Sequence, residues 1–371
     1  MKIAYICSAC VRNDAISAAV RNEILWLLQS GHDVRLYAYA CDFPELPFQA
    51  VDTSAALTLD RHFYASQMAI FHFGIVFELF NAIFLCGATM RKVVVFHNIT
   101  PKKFVPTRQV AAIEASLRQM ANMGLADQIL CGSRYNLDFL RRSGINAPAT
   151  VLPLAVTGAD PGDAPKPSAR DRRLRLLFIG RFVPSKGLLD LLAALRLALG
   201  REPGLRLEVC FVGNTAYSDP ALLERLRTFL RNEVPGFGER LTASLHEDAC
   251  EAEKQRLLAA TDILILPTYH EGFCVPIVEA FLAGCQVIAY DNSNVPFVGG
   301  GLAHLVPTGD IEGLAATLVR VARDIAERFW SAGGDARYRE YMVQARALAR
   351  QYDPEQIRQR FLSLIGSLLE A

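Results

Sequence analysis

An α/β fold of two doubly wound parallel-sheet domains is predicted by three features of the sequence. The chain has 371 residues, enough to bury two separate cores. Apolar, β-branched runs alternate with longer helix-period stretches, the pattern of βαβ units. One stretch near the middle, Thr157 to Arg173, loses that periodicity and gains three prolines, two glycines and mixed charges, as a hinge would.

In the first half, KIAYIC reads as a strand, Ala15 to Gln29 as a helix stopped by Gly31, and DVRLYAY as the second strand; VVVFHN and DQILCGS follow. Cys7 is expected to end the first strand, with Cys10 in the loop after it. Met68 to Gly87, MAIFHFGIVFELFNAIFLCG, is apolar enough to test as a membrane span. It carries His72, Glu78 and Asn81, each costly in hydrocarbon, and reads instead as a buried strand followed by a buried or interfacial helix. After the hinge a second series begins with LRLLFIG, LRLEVCFVG, DILILP and QVIAYD. The expected organisation is a first domain over 1–156, a linker over 157–173, a second domain over 174–353, and a last helix over 354–371 with one apolar face, available to pack back on the first domain.

Composition narrows the partners. With 39 basic and 38 acidic residues the formal charge is +1, which gives no reason to expect nucleic acid. Mean hydropathy is +0.20, but MKIAYICSAC has too short an apolar run for a signal peptide, so a cytoplasmic chain is expected. Nine scattered cysteines fit reduced core thiols better than a disulfide framework. Cys7 and Cys10 have the spacing of a redox couple or half a zinc site; without a second pair, neither is favoured.

In open parallel sheets ligands bind beyond the carboxyl ends of the strands, which selects two loops. FIGRFVPSKG, Phe178 to Gly187, delivers Arg181 and Lys186 after a strand and before a helix. A forked guanidinium and a point-charge ammonium beside a helix N-terminus suit a diphosphate; two solvated surface charges are the plain alternative. YHEGFCVPIVEA, Tyr269 to Ala280, follows the strand DILILP. Pro276 marks a helix start, and Glu279 is expected in the first turn, within reach of the same pocket mouth as Glu271. Gly272 permits close backbone approach, and the amides of Phe273, Cys274 and Val275 point towards a ligand there. Two carboxylates could also serve as a glycosidase pair, and Glu279 alone could simply answer the helix dipole. A metal is not expected, because neither Asp-x-Asp nor H-E-x-x-H occurs.

Taken in order, Gly-Arg-x4-Lys-Gly at Gly180 to Gly187, Glu-Gly-Phe at Glu271 to Phe273, a second Glu eight positions on, AFLAGCQVIAYD and the late GGLAHLVPTGDIEGLAATL resemble the retaining glycosyltransferases of family 4, the group 1 glycosyltransferases. The resemblance is strongest between Leu174 and Leu318 and weak before Asn98. It implies the GT-B fold, two Rossmann-like domains facing a cleft, and a nucleotide-sugar site in the second. By the same resemblance Arg181 and Lys186 bind the diphosphate, Glu279 accepts from the ribose hydroxyls, and Glu271 contacts the donor sugar beside the anomeric carbon. Amides of Gly272, Phe273, Cys274 and Val275 contact sugar and phosphate. His97, at a strand end in VVVFHNITP, matches the family's first-domain histidine and would touch the donor sugar. The first loop departs from the family: it has no glycine, and Arg12 and Asn13 are expected only on the acceptor side.

The implied function is metal-independent, retaining transfer of a sugar from GDP-mannose or a UDP-hexose to a saccharide or lipid-linked acceptor, in surface polysaccharide or lipopolysaccharide synthesis, with no cofactor. Basic residues Arg91, Lys92, Lys102, Lys103, Arg108, Arg141 and Arg142 extend the expectation to peripheral contact at the inner face of the membrane. Two rivals are a non-catalytic nucleotide-sugar binder of the same fold and a glycosidase.

Overall fold

The computed structural model describes residues 1–12, 14–158, 172–216, 218–329 and 334–370. The chain forms two compact units: Met1–Ala155 joined by Tyr352–Ala371, and Val156–Gln351. Residues 159–171, most of the expected linker, lie outside the described residues, as does Asn13.

The first unit is built on β1 (Lys2–Ile6), β2 (Ala9–Cys10), β3 (Asp33–Ala38), β4 (Ala40–Cys41), β5 (Phe48–Ala50), β6 (Met68–Phe73), β7 (Arg91–Phe96), β8 (Gln128–Cys131) and β9 (Ala149–Val151). Seven of these form one sheet in the order β5-β3-β1-β6-β7-β8-β9, every pairing parallel. β1 and β6 are neighbours where the strand order reverses, which is where such sheets open a crevice at their carboxyl edge. Cys10 is not in a loop: Ala9–Cys10 pairs in parallel with Ala40–Cys41, a two-residue ladder in which Cys10 partners Cys41. After β6 the chain winds as a 3-10 helix, Glu78–Leu85, rather than an α-helix. Leu79, Phe80, Ala82 and Ile83 are buried there, and Phe80 packs on Phe71 and Phe73.

The helix Ala15–Gln29 buries Val20, Glu23, Ile24 and Leu27 and is capped by Asp14, whose carboxylate accepts from the Ser17 amide. The final helix, Pro354–Glu370, belongs to this unit: Ile357, Phe361 and Ile365 share a core with Val20, Ile24 and Leu27, and Phe361 lies against Trp26. Arg360 also donates to the Val151 carbonyl at 2.9 Å.

The second unit carries β10 (Leu174–Ile179), β11 (Leu207–Gly213), β12 (Leu241–Glu247), β13 (Ile263–Leu266), β14 (Gln286–Asp291) and β15 (His304–Pro307). Their order is β12-β11-β10-β13-β14-β15, all parallel, so β10 and β13 flank the reversal. Both units are doubly wound parallel sheets of Rossmann-like order. Among the described residues no helix is long and apolar enough to cross a membrane.

Candidate functional site

The loops that leave β10 and β13 are locked together by their backbones. After β10 a single 3-10 turn, Pro184–Lys186, leads to Gly187, which opens the helix Leu188–Arg201 with φ +69°. A Cβ on Gly187 would sit 1.8 Å from the Pro267 carbonyl oxygen, so only glycine permits this approach. The Ser185 carbonyl accepts from the Tyr269 amide at 2.8 Å and from the Thr268 hydroxyl at 3.1 Å. Asp190, in the first turn of the same helix, accepts from the hydroxyls of Tyr269 at 2.6 Å and Tyr290 at 2.7 Å, tying in β14 as well. Burial and the Asp190 carboxylate push the Tyr269 phenol up to about 12 and the Tyr290 phenol higher still.

This packing brings Lys186 Nζ to 2.6 Å from Glu271 Oε1. The two side chains are 22% and 12% exposed, so the pair is only thinly screened by water. Arg181, on the same loop, is exposed; its carbonyl accepts from the Val183 amide at 2.9 Å, while its side chain makes no hydrogen bond or ion pair among the described residues.

Beyond Glu271 and Gly272 the chain buries Phe273 and Cys274 before the helix Val275–Leu282. Cys274 is a left-handed non-glycine residue, φ +80° and ψ +62°, a conformation costing on the order of 1–2 kcal/mol. Asn294 supports it by donating to the Phe273 carbonyl at 2.9 Å. The Cys274 thiol is pushed well up by burial and then by the Glu271 charge, with Lys186 opposing and Glu279 adding a smaller push. Cys274 thus lies within electrostatic reach of both carboxylates and Lys186.

Glu279 differs from expectation in two respects. The helix opens at Val275, one residue before Pro276, which places Glu279 in its second turn. Its side chain is 5% exposed and ion-paired: Lys254 Nζ lies 2.6 Å from Glu279 Oε1 and 2.9 Å from Glu251 Oε2. Burial raises the Glu279 carboxyl above its usual range, and Lys254 opposes that shift. For Lys254, burial pulls down but Glu279 and Glu251 outweigh it, so the ammonium is held charged.

In the first unit, His97 follows β7 and its amide donates to the Phe73 carbonyl at 2.9 Å. Asn98 beside it is left-handed, φ +82°, and its side-chain amide donates to Asn136 at 2.6 Å. His97 stacks on His72, ring centroids 4.8 Å apart, with its Nε2 2.7 Å from His72 Nδ1. Arg12 is exposed, and its amide donates to Asp42 at 3.1 Å.

Motif reading missed Lys254, Asp190 and the two tyrosines, since each reaches its partner from a different strand or helix and no linear spacing records that. Glu23 and His72 did leave a signal: a glutamate on the apolar stripe of an amphipathic helix, and a histidine inside the apolar run MAIFHF. Among the described residues no group of three or more His, Cys, Asp or Glu side chains is placed to hold a metal.

Residues 173–324 match the family described as glycosyl transferases group 1. Sucrose-phosphate synthase from Thermosynechococcus elongatus, 18% identical, superposes over 100% of both chains with a TM-score of 0.71, a likeness of fold. The likeness is one of fold, two doubly wound parallel-sheet units as in the GT-B glycosyltransferases, with residues 173–324 matching the group 1 model. Phosphatidyl-myo-inositol mannosyltransferase of Mycolicibacterium smegmatis (strain ATCC 700084 / mc(2)155) is 31% identical over 195 residues, 50% of this chain and 47% of that protein. O-antigen chain mannosyltransferase B of Escherichia coli is 26% identical over 148 residues, 40% of this chain and 36% of that protein. The matched sequence therefore spans about half, or less, of these curated relatives.

Proposed function

We propose that this chain transfers a sugar from a nucleotide-diphosphate sugar to a saccharide or lipid-linked acceptor, with retention of configuration and without a metal. The observation that carries the reading is the Lys186–Glu271 pair at 2.6 Å, on loops leaving the two strands that flank the sheet's switch point. A cation and a carboxylate are there presented together, one suited to a diphosphate and the other to sugar hydroxyls.

In this reading Arg181 and Lys186 neutralise the departing diphosphate, the task a metal performs in other transferases. Amides of Gly272 to Val275 take up sugar and phosphate contacts, Glu279 accepts from ribose through the oxygen Lys254 leaves free, and His97 touches the donor sugar. The acceptor hydroxyl oxygen bonds to the anomeric carbon as the bond to the phosphate oxygen breaks. The hydroxyl proton passes to that phosphate oxygen on the same face, giving a glycoside and a nucleoside diphosphate. The curated mannosyltransferase relatives favour mannose as the sugar, and the acceptors in their names, a phosphatidylinositol and an O-antigen chain, favour a lipid-linked or surface saccharide. A glycosidase is disfavoured because each glutamate is already engaged by a lysine ammonium at 2.6 Å and so is not free to act on a glycosidic bond.

The test is a thermal-shift screen against UDP, GDP, ADP and their sugars, followed by transfer assays with the stabilising donor in chelator. One nucleotide should stabilise the protein, and transfer should survive chelation. Strict dependence on a divalent ion would overturn the metal-free mechanism.

A further inference from the structure

The first unit holds a pair of thiols that the reading above does not use. β2 and β4 continue the ladder of β1 and β3 past its carboxyl end: Ile6 faces Tyr37 and, in the same register, Cys10 faces Cys41. The Tyr39 amide donates to the Ser8 carbonyl and the Asp42 amide to the Cys10 carbonyl, each at 2.9 Å, so the backbone fixes that register. Registered residues on parallel strands turn their side chains to one face with Cα atoms about 4.8 Å apart, inside the span of about 4.4–6.8 Å that a disulfide bridges. Both cysteines are free thiols, and a side-chain hydrogen bond joins them. The Cys-x-x-Cys spacing points to Cys7 as the partner of Cys10, but the ladder pairs Cys10 with Cys41.

Unequal exposure orders the chemistry. Cys10 is buried and donates to the Ser17 carbonyl at 3.6 Å, whereas Cys41 is partly open to solvent. Burial first, then the charge and hydrogen bond of Cys41, and then the Asp14 and Asp42 carboxylates push the Cys10 thiol up to about 12. Cys10 alone is therefore a poor nucleophile. A Cys41 sulfur already bound in a disulfide carries no charge, which removes part of that upward push and leaves Cys10 beside the sulfur it attacks.

We propose that Cys10 and Cys41 are a redox site, closed to an intramolecular disulfide by exchange with a small disulfide. The Cys41 sulfur attacks one sulfur of the reagent, the reagent's S–S bond breaks, and one thiol leaves with the Cys41 proton. The Cys10 sulfur then attacks the Cys41 sulfur, and the second thiol leaves with the Cys10 proton. The two cysteines give up two electrons, and the reagent is reduced to two thiols. The link fastens the loop after β2, where the Val11 amide donates to the Ser17 hydroxyl at 3.0 Å and the Arg12 amide to Asp42, next to Cys41, at 3.1 Å. The site lies wholly within the first unit and is independent of the donor reading.

The test is incubation of the full chain with hydroxyethyl disulfide, an uncharged reagent that Asp14 and Asp42 do not repel, followed by digestion without reduction and mass mapping. A linked pair joining Cys10 to Cys41, two hydrogens lighter than the separate peptides, should exceed any other linked pair by roughly tenfold, because the ladder holds these two thiols together. Exposed Cys250 should carry only the reagent. The link should persist in Cys7→Ala and vanish in Cys41→Ser, where buried Cys10 should take up no reagent. A wild-type map in which Cys41 keeps the reagent unlinked, or joins a cysteine other than Cys10, would overturn the proposal whether or not the variants fold. Amide exchange over Ser8 to Arg12 should slow by about tenfold on oxidation and recover with dithiothreitol; unchanged exchange would overturn the fastening of the loop.

Discussion

The Lys186 ammonium lies 2.6 Å from Glu271 Oε1, so the cation proposed for the diphosphate and the carboxylate proposed for the sugar are each other's partners. A diphosphate that takes up Lys186 competes with Glu271 for it. Glu271→Gln should therefore bind the nucleoside diphosphate more tightly, by about threefold to tenfold given that a charge-assisted bond is exchanged, while transfer collapses. Calorimetry with the diphosphate checks this. Weaker binding would show that Lys186 does not change partners.

The Arg181 side chain has no partner to lose among the described residues, so Arg181→Ala should leave the melting temperature close to that of the parent, with a change within about 0.5 kcal/mol. Affinity for the nucleoside diphosphate should fall roughly tenfold to a hundredfold, as a charge-assisted hydrogen bond predicts, and affinity for the nucleoside should hold. Equal losses for both ligands would remove the diphosphate role.

Lys254→Met leaves the Glu279 carboxylate buried without its ammonium. Breaking such a pair costs roughly 3 kcal/mol, and the loss should depend on pH. Because burial raises the Glu279 carboxyl in the folded protein above its ordinary value of 4.5, its protonation favours the folded state. That contribution is fully present below 4.5 and is lost as pH rises through the folded value. The deficit of Lys254→Met should accordingly be largest near neutrality and narrow towards acid, as denaturant titrations at several pH values would show. Lys254→Arg should restore most of the stability; a deficit independent of pH would mean that Glu279 is not the group left unpaired.

Gly187→Ala should force apart the loops that carry Lys186 and Glu271. The new Cβ meets the Pro267 carbonyl at 1.8 Å in a left-handed backbone, a combination of overpacking and strain worth about 2–4 kcal/mol. Both the melting temperature and diphosphate affinity should fall. Retention of affinity at full strength would mean that the cations work without this packing.

Much of this was written locally in the sequence. Alternating strand and helix periods marked both sheets, and the loops of Arg181, Lys186, Glu271 and Glu279 stood out because strand ends followed by glycine and proline are local signals. What periodicity does not encode is which strands become neighbours. β10 lies between β11 and β13, and only that order brings Ser185 to Tyr269 and Lys186 to Glu271. Lys254 reaches Glu279 from a helix 25 residues away, in a segment whose charge pattern resembles any solvated face. The one-residue error in the start of the helix at Val275 has a similar origin, since a left-handed cysteine cap at Cys274 is not a sequence signal. Cys10 was misplaced because a two-residue strand is too short for any period.

The two lysine–glutamate pairs also bear on how a ligand arrives. Lys186 cancels Glu271 and Lys254 cancels Glu279, so that of these five side chains Arg181 alone contributes unbalanced charge. Long-range attraction falls with distance on the scale of the Debye length, about 8 Å at physiological ionic strength, and a near-neutral mouth has little field to screen. Capture of the nucleotide should thus be almost indifferent to added salt, with selection resting on contacts formed after arrival.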